Sequence, residues 1–280
     1  MATVIGSGIW EQLREKVHGA VRARTRTDHP EDILARSVIP RLMVPGFRPD
    51  WSEVAGKGTV CDADVTALVP IAVYGTAHEL LEQVESVMRR GIAAETVFVE
   101  LLAPVARWLG VEWEEDRLDF VQVSMALWRL QEVLRQVAAG AGRIDGPSPR
   151  SALFAPMPGD QHSFGAAMVQ ECFALAGWDA ELLVGPSAAQ INAAVAEQRY
   201  DLLGLTLTCD CPSGRLASLV RAIRSVSKNP QLCILIGGRA AIERPELATL
   251  AGADGTATDA GTAVRTAERM VDALRLALPA

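Results

Sequence analysis

One histidine in this chain stands where its chemistry can be used. Asp160-Gln161-His162-Ser163-Phe164-Gly165 joins a short apolar run, Ala152 to Pro156, to a segment in which Ala167, Met168, Cys172, Leu175 and Ala176 recur at helical spacing. A strand, a loop and a helix are expected in that order, and His162 falls on the loop at the carboxyl end of the strand, where open α/β sheets place their ligands. A neutral imidazole is a good ligand for a transition metal, provided its other ring nitrogen has a partner that fixes tautomer and basicity. Asp160, two residues earlier, can be that partner. Gly165 lets a bulky ligand lie close to the backbone where the helix begins. The competing reading is an ordinary exposed loop histidine with Asp160 as a helix cap.

The elements that must position this loop follow it in regular alternation. Ala180 to Val184, Leu202 to Thr208, Leu232 to Ile236 and a weaker Gly255 to Thr258 are strand-like, whereas Ala188 to Glu197, Arg215 to Val226, Pro245 to Leu250 and Gly261 to Leu278 carry helical patterns. Short connections between alternating strands and helices predict a five-stranded, parallel, doubly wound α/β sheet of flavodoxin-like order, with its crevice at the switch point. Gly237-Gly238 ends the fourth strand, where an ordinary strand-to-helix turn is the plain alternative to a ligand pocket.

Upstream, the residues from Gly140 to Pro149 are rich in helix breakers and predict a linker over 142–150. Residues 62–141 read as an all-α helical bundle: Ala77 to Arg90, Ala94 to Leu109 and Arg117 to Ala138, the last two joined by a turn at Gly110, with a weaker helix from Asp64 to Val73 broken at Pro70. Residues 1–61 form an amino-terminal helical or irregular segment, and 151–280 the α/β domain. Trp108, Trp128 and Trp178 are assigned to the core.

The D-x-H-x-x-G loop together with Gly237-Gly238 resembles the cobalamin-binding fold. That resemblance implies His162 as the lower ligand to cobalt, with Asp160, Gln161, Ser163 and Gly165 around it in the cofactor-binding loop. It also implies a dimethylbenzimidazole tail threading past the third and fourth strands. The family's S-x-L on the third strand aligns with Thr206 and Thr208, keeping the hydroxyl and losing the leucine, and Gly237 and Gly238 make room for the tail.

Within the bundle, Arg90-Gly91, Leu101-Leu102-Ala103-Pro104, Leu109-Gly110 with Trp113, Asp119-Phe120-Val121 and Arg129-Leu130-Gln131 resemble the AerR/PpaA-type photosynthesis antirepressors. So does the lead segment Ile33 to Leu42. This resemblance spans roughly residues 30 to 280. It implies a cobalamin-dependent, light- or redox-responsive transcriptional regulator, not an enzyme, that acts through a partner DNA-binding repressor. It also implies adenosylcobalamin in the dark and aquo- or hydroxocobalamin after light. Bundles of this kind lie over the upper face of the corrin, so Trp113 becomes a cofactor contact. Related photoreceptors place a Glu-His pair ten residues after that tryptophan, where this chain has Val123 and Ser124. The alternative function is a corrinoid protein carrying methyl groups between methyltransferases.

Composition narrows the partners. A net charge of −7 argues against a dedicated DNA surface. The basic cluster Arg14, Lys16, Arg22, Arg24 and Arg26 is interrupted by acids and reads as a solvated helix face. No signal peptide precedes the charged residues from Glu11 to Lys16, and no apolar run approaches the roughly 20 residues of a membrane helix, so a cytoplasmic protein is expected. Cys61, Cys172, Cys209, Cys211 and Cys233 contain no C-x-x-C pair and read as reduced, mostly core residues, with a redox role for Cys209-x-Cys211 as a minor alternative.

Overall fold

The computed structural model describes residues 58–141, 150–160, 162–208 and 213–276. It divides into two compact units, Met1–Gly142 and Arg143–Ala280. The expected amino-terminal segment up to Lys57, its basic cluster, the linker over 142–149, Gln161 and Cys209-x-Cys211 lie outside the described residues.

Among its described residues the first unit is entirely helical: α1 (Asp62–Tyr74), α2 (Ala77–Met88), α3 (Ala94–Thr96), a π-helical turn (Val97–Leu102), α4 (Ala103–Glu114) and α5 (Phe120–Gly140). Helix α1 does not break at Pro70 but runs through it. Leu68, Val69, Ala72 and Val73 are all buried around the proline, and their packing outweighs one lost main-chain bond. The buried Arg129 of α5 also donates to the carbonyls of Ala72 and Val73, at 2.9 and 3.1 Å, where the helix end would otherwise leave acceptors unmet.

Pro104 shapes the next helix differently. It has no N–H for the carbonyl of Glu100, and the chain widens just before it into the π turn, in which the Ala103 amide donates to Phe98. Gly110, expected at a turn, lies inside α4, which continues to Glu114. The reversal instead falls at Glu115–Asp119, where Asp116 takes a positive φ of 55°. Two features fix it there. Arg117 forks onto the buried carboxylate of Glu112, at 2.6 and 2.8 Å, and Asp119 with Gln122 forms a capping box that starts α5. Trp128, expected in the core, is not there. The inward stripe of α5 is Ala126, Arg129, Leu130, Val133, Leu134 and Val137, which leaves residue 128 off it and 39% exposed. Trp108 and Trp178 are buried as expected.

The second unit is the expected doubly wound domain. Strands β1 (Ser151–Pro156), β2 (Asp179–Leu182), β3 (Leu202–Thr206), β4 (Cys233–Gly237) and β5 (Gly255–Thr256) form one parallel sheet in the order β2-β1-β3-β4-β5. Between and after them run α6 (Phe164–Leu175), α7 (Ala188–Glu197), α8 (Ser213–Val226), α9 (Arg239–Glu243), α10 (Glu246–Ala251) and α11 (Ala260–Leu276). Helix α9 is too short for its periodicity to be visible in the sequence. Leu153, Ala155, Leu203, Leu205, Ile234 and Ile236 face one core with residues of α7, α8, α9 and α10. Alternation along the strands turns Phe154 and Gly204 to the other face, where Phe154 stacks on Phe173 at 4.8 Å.

Two glycines test this description in opposite directions. A Cβ on Gly204 would come within 2.5 Å of the buried Phe154 ring, so Gly204→Ala should cost roughly 1–3 kcal/mol in denaturant unfolding. A Cβ on Gly110 meets nothing within 4 Å, so Gly110→Ala should raise stability by roughly 0.5–1 kcal/mol. A loss at Gly110 would contradict its place inside a helix.

Candidate functional site

The loop after β1 is built by its own residues. Asp160 N–H donates to the Met157 carbonyl at 2.8 Å, and Gly159 between them has φ of 91°. With Pro158 before that glycine this is the sequence chemistry of a type II turn, and the Pro158-Gly159 dipeptide was its available signal. The turn delivers Asp160 to a nearly buried position, its side chain 5% exposed.

That carboxylate organises the site. Its Oδ1 accepts from the His162 amide at 2.9 Å and lies 2.7 Å from the His162 Nδ1; its Oδ2 accepts from the Thr208 amide at 2.8 Å. Burial alone would raise the Asp160 carboxyl, but these donors outweigh it and hold it below the usual carboxylate range. Opposite an ionised carboxylate Nδ1 carries the ring proton, which leaves the lone pair on Nε2. The His162 side chain is 59% exposed, and Nε2 has no hydrogen-bond partner among the described residues. Asp160 is therefore not the cap of the following helix, which starts from Ser163 without a side-chain cap. Gly165 sits exposed in the first turn of α6, and a Cβ there would meet nothing within 4 Å.

The sheet register brings the remaining expected residues to this end. Pro156, Thr206 and Gly237 lie side by side across β1, β3 and β4. Thr206 is 9% exposed, and its buried hydroxyl has no hydrogen-bond partner among the described residues. Such an orphan costs roughly 1–3 kcal/mol, and the Trp108 and Trp178 ring N–H groups and the Asn192 amide oxygen share that state among the described residues. The two glycines differ. Gly238 has φ of 91°, and a Cβ there would collide with the Leu207 carbonyl, so the fold itself demands glycine. A Cβ on Gly237 would meet only the Ala257 carbonyl, at an ordinary 3.6 Å, so the described residues leave room for a side chain there. Thr208 reaches the site through its main chain, a role that side-chain motifs do not reveal.

Trp113 belongs to the helical unit, where it is 45% exposed and meets Phe120 edge-on at 6.2 Å. Val123 is half-buried and Ser124 exposed on α5. Among the described residues no group of three or more His, Cys, Asp or Glu side chains could cage a metal ion, and no helix is long and apolar enough to cross a membrane. Cys172 and Cys233 are buried and Cys61 is exposed; burial pushes the Cys233 thiol up to about 11, which makes it unreactive.

No family model matches the chain. It is 27% identical over 165 residues to an uncharacterized 20.5 kDa protein of Rhodobacter capsulatus from the bchF-crtJ intergenic region, covering 58% of this chain and 85% of that protein. The monomethylamine corrinoid protein of Methanosarcina barkeri superposes with a TM-score of 0.60 at 16% identity, over 74% of this chain and 98% of that one. A cobalamin-binding protein of Desulfitobacterium hafniense covers the same share of this chain at 18% identity, with a TM-score of 0.40 that is too loose to argue from. The superposition with the corrinoid protein shows that the chain has that protein's fold.

If Asp160 ties the loop together, Asp160→Ala should speed hydrogen exchange of the His162 and Thr208 amides at least tenfold in the ligand-free protein while the β-sheet amides keep their protection. Unchanged exchange at Thr208 would remove Asp160 from this role.

Proposed function

We propose that this chain binds cobalamin in its second unit, with His162 as the lower ligand to cobalt, and that it acts as a light- or redox-responsive regulator of transcription. The observation that carries the reading is an exposed imidazole oriented by a buried carboxylate, with no group of three or more His, Cys, Asp or Glu side chains to cage a metal ion among the described residues. Structural metal sites need about four protein ligands, and catalytic ones about three. One oriented imidazole suits a metal that arrives with its equatorial ligands already supplied, as in a corrin. The rest of the site fits such a group: the Thr206 hydroxyl has no hydrogen-bond partner among the described residues, Gly237 on the neighbouring strand leaves room for a side-chain-sized group, and Gly165 lets a ligand approach the start of α6.

Bound cobalamin would supply a cobalt centre whose bond to an upper alkyl group is cleaved by visible light. This chain's residues do the remainder: Asp160 holds the His162 tautomer, Thr206 meets the tail, and Gly237 leaves room for it. Trp113 enters as a cofactor contact on the resemblance alone. No histidine occurs between Glu79 and Gln161, and Val123 and Ser124 occupy the positions where related photoreceptors carry a Glu-His pair, so those positions would offer bound cobalt no imidazole. The signal is then a contact with a DNA-binding repressor in the cytoplasm, not turnover of a substrate. The resemblance of the bundle to photosynthesis antirepressors supports this output, and a relative encoded between bchF and crtJ is compatible with it. The second reading, a methyl carrier, is supported by the fold shared with the corrinoid protein.

His162→Ala should weaken cobalamin binding at least tenfold, with His78→Ala unchanged; normal affinity and spectrum in the His162 variant would sink the assignment. Gly237→Val should fold and lose affinity, since only the ligand needs that space. Illumination of the adenosylcobalamin-loaded protein should change its absorption irreversibly, and added imidazole should then bind. Two protein nitrogens on cobalt, or methyl cycling with a donor enzyme, would overturn the regulatory reading. The purified chain should show no sequence-dependent retention of DNA at physiological salt, because it offers little to replace the phosphate counterions.

A further inference from the structure

The opposite end of the sheet holds a second recess. A cavity of about 290 Å³ opens at the amino ends of β1, β3 and β4 against the last turns of α11, lined by Ser151, Arg199, Asp201, Asn229, Gln231 and Arg275. Most of these groups are already committed. The Ser151 hydroxyl donates to the Arg199 carbonyl at 3.0 Å. The buried Asn229 amide donates to the Tyr200 carbonyl at 2.7 Å and accepts from the Gln231 amide N–H at 3.1 Å. Asp201 Oδ2 accepts from the Ser151 N–H and from the Arg275 guanidinium, each at 3.0 Å.

What is left over includes two strong donor groups. The Arg199 guanidinium has neither an ion pair nor a hydrogen bond among the described residues, and the Gln231 side-chain amide is likewise unengaged among them. An uncommitted guanidinium is a planar fork that pairs two oxygens of a carboxylate or phosphate at once.

We propose that this recess binds a small oxyanion, a phosphate- or carboxylate-bearing molecule, through Arg199 and Gln231. The site stands apart from the proposed cofactor site. β3 runs from Leu202 to Thr206, so the two ends of the strand are about 13 Å apart at roughly 3.3 Å per residue.

The test uses the full-length protein without cofactor, titrated with inorganic phosphate and separately with malonate, each against sodium chloride at matched ionic strength. Calorimetry and thermal unfolding are the readouts. One of the two probes should bind saturably and raise Tm above the chloride control, and which of them does so identifies the class of ligand. Arg199→Ala should weaken that binding at least tenfold with partial rescue by Arg199→Lys, and Gln231→Ala should weaken it severalfold. Arg199 is exposed, so its variant should keep the parent circular dichroism spectrum. His162→Ala should leave oxyanion binding unchanged. Equal behaviour of both probes and chloride, undiminished binding by Arg199→Ala, or loss of binding in the His162 variant would overturn the proposal.

Discussion

The buried carboxylate of Asp160 is the constraint on which the site depends. It takes three hydrogen bonds, from the His162 backbone, the His162 ring and the Thr208 backbone. Bonds to a charged acceptor at low exposure contribute about 1.5–3 kcal/mol each, enough to offset the cost of removing the charge from water. One end of the group sets the imidazole and the other is pinned to the chain leaving β3. The ring is thus held relative to the sheet, not merely to its own loop.

The row Pro156–Thr206–Gly237 lies across the three central strands at their carboxyl ends. Below the row, the Phe154 ring occupies the space that a side chain at Gly204 would take, so the hydrophobic filling continues beneath the site. The row itself holds a buried hydroxyl that has no partner among the described residues and a glycine the fold does not require. Local departures from good packing and polar satisfaction are where function is expected in an otherwise consistent fold. The neighbouring Gly238 belongs to the other category, since its backbone angle and the Leu207 carbonyl leave no alternative.

The α/β unit was legible because its central strands are buried apolar runs set off by turn residues, and because D-x-H-x-x-G combines a metal-capable side chain with its orienting partner. The helical unit was harder to read, for identifiable reasons. Gly110 looked like a turn, yet the reversal depends on the ion pair of Glu112 with Arg117 and on the Asp119 cap, and charged residues near a helix end carry no fixed position in sequence. Pro70 looked like a break, yet tertiary burial and Arg129 sustain the helix through it. Trp128 looked like core because aromatic residues usually are, whereas its place on the helix turns it outward. The link from Asp160 to the Thr208 amide was invisible, since a main-chain donor leaves no trace in residue type.

That link also bears on the order in which the chain can assemble. Asp160 and Thr208 are 48 residues apart in sequence, and the intervening segment contains α6, β2, α7 and β3. The turn at Pro158-Gly159 can form locally, but the carboxylate finds its second partner only after β3 has docked beside β1. Closing a loop of that length precedes the bond that rewards it. The histidine loop is therefore completed only once β1 and β3 have paired, and a ligand that needs it meets the centre of the sheet already formed.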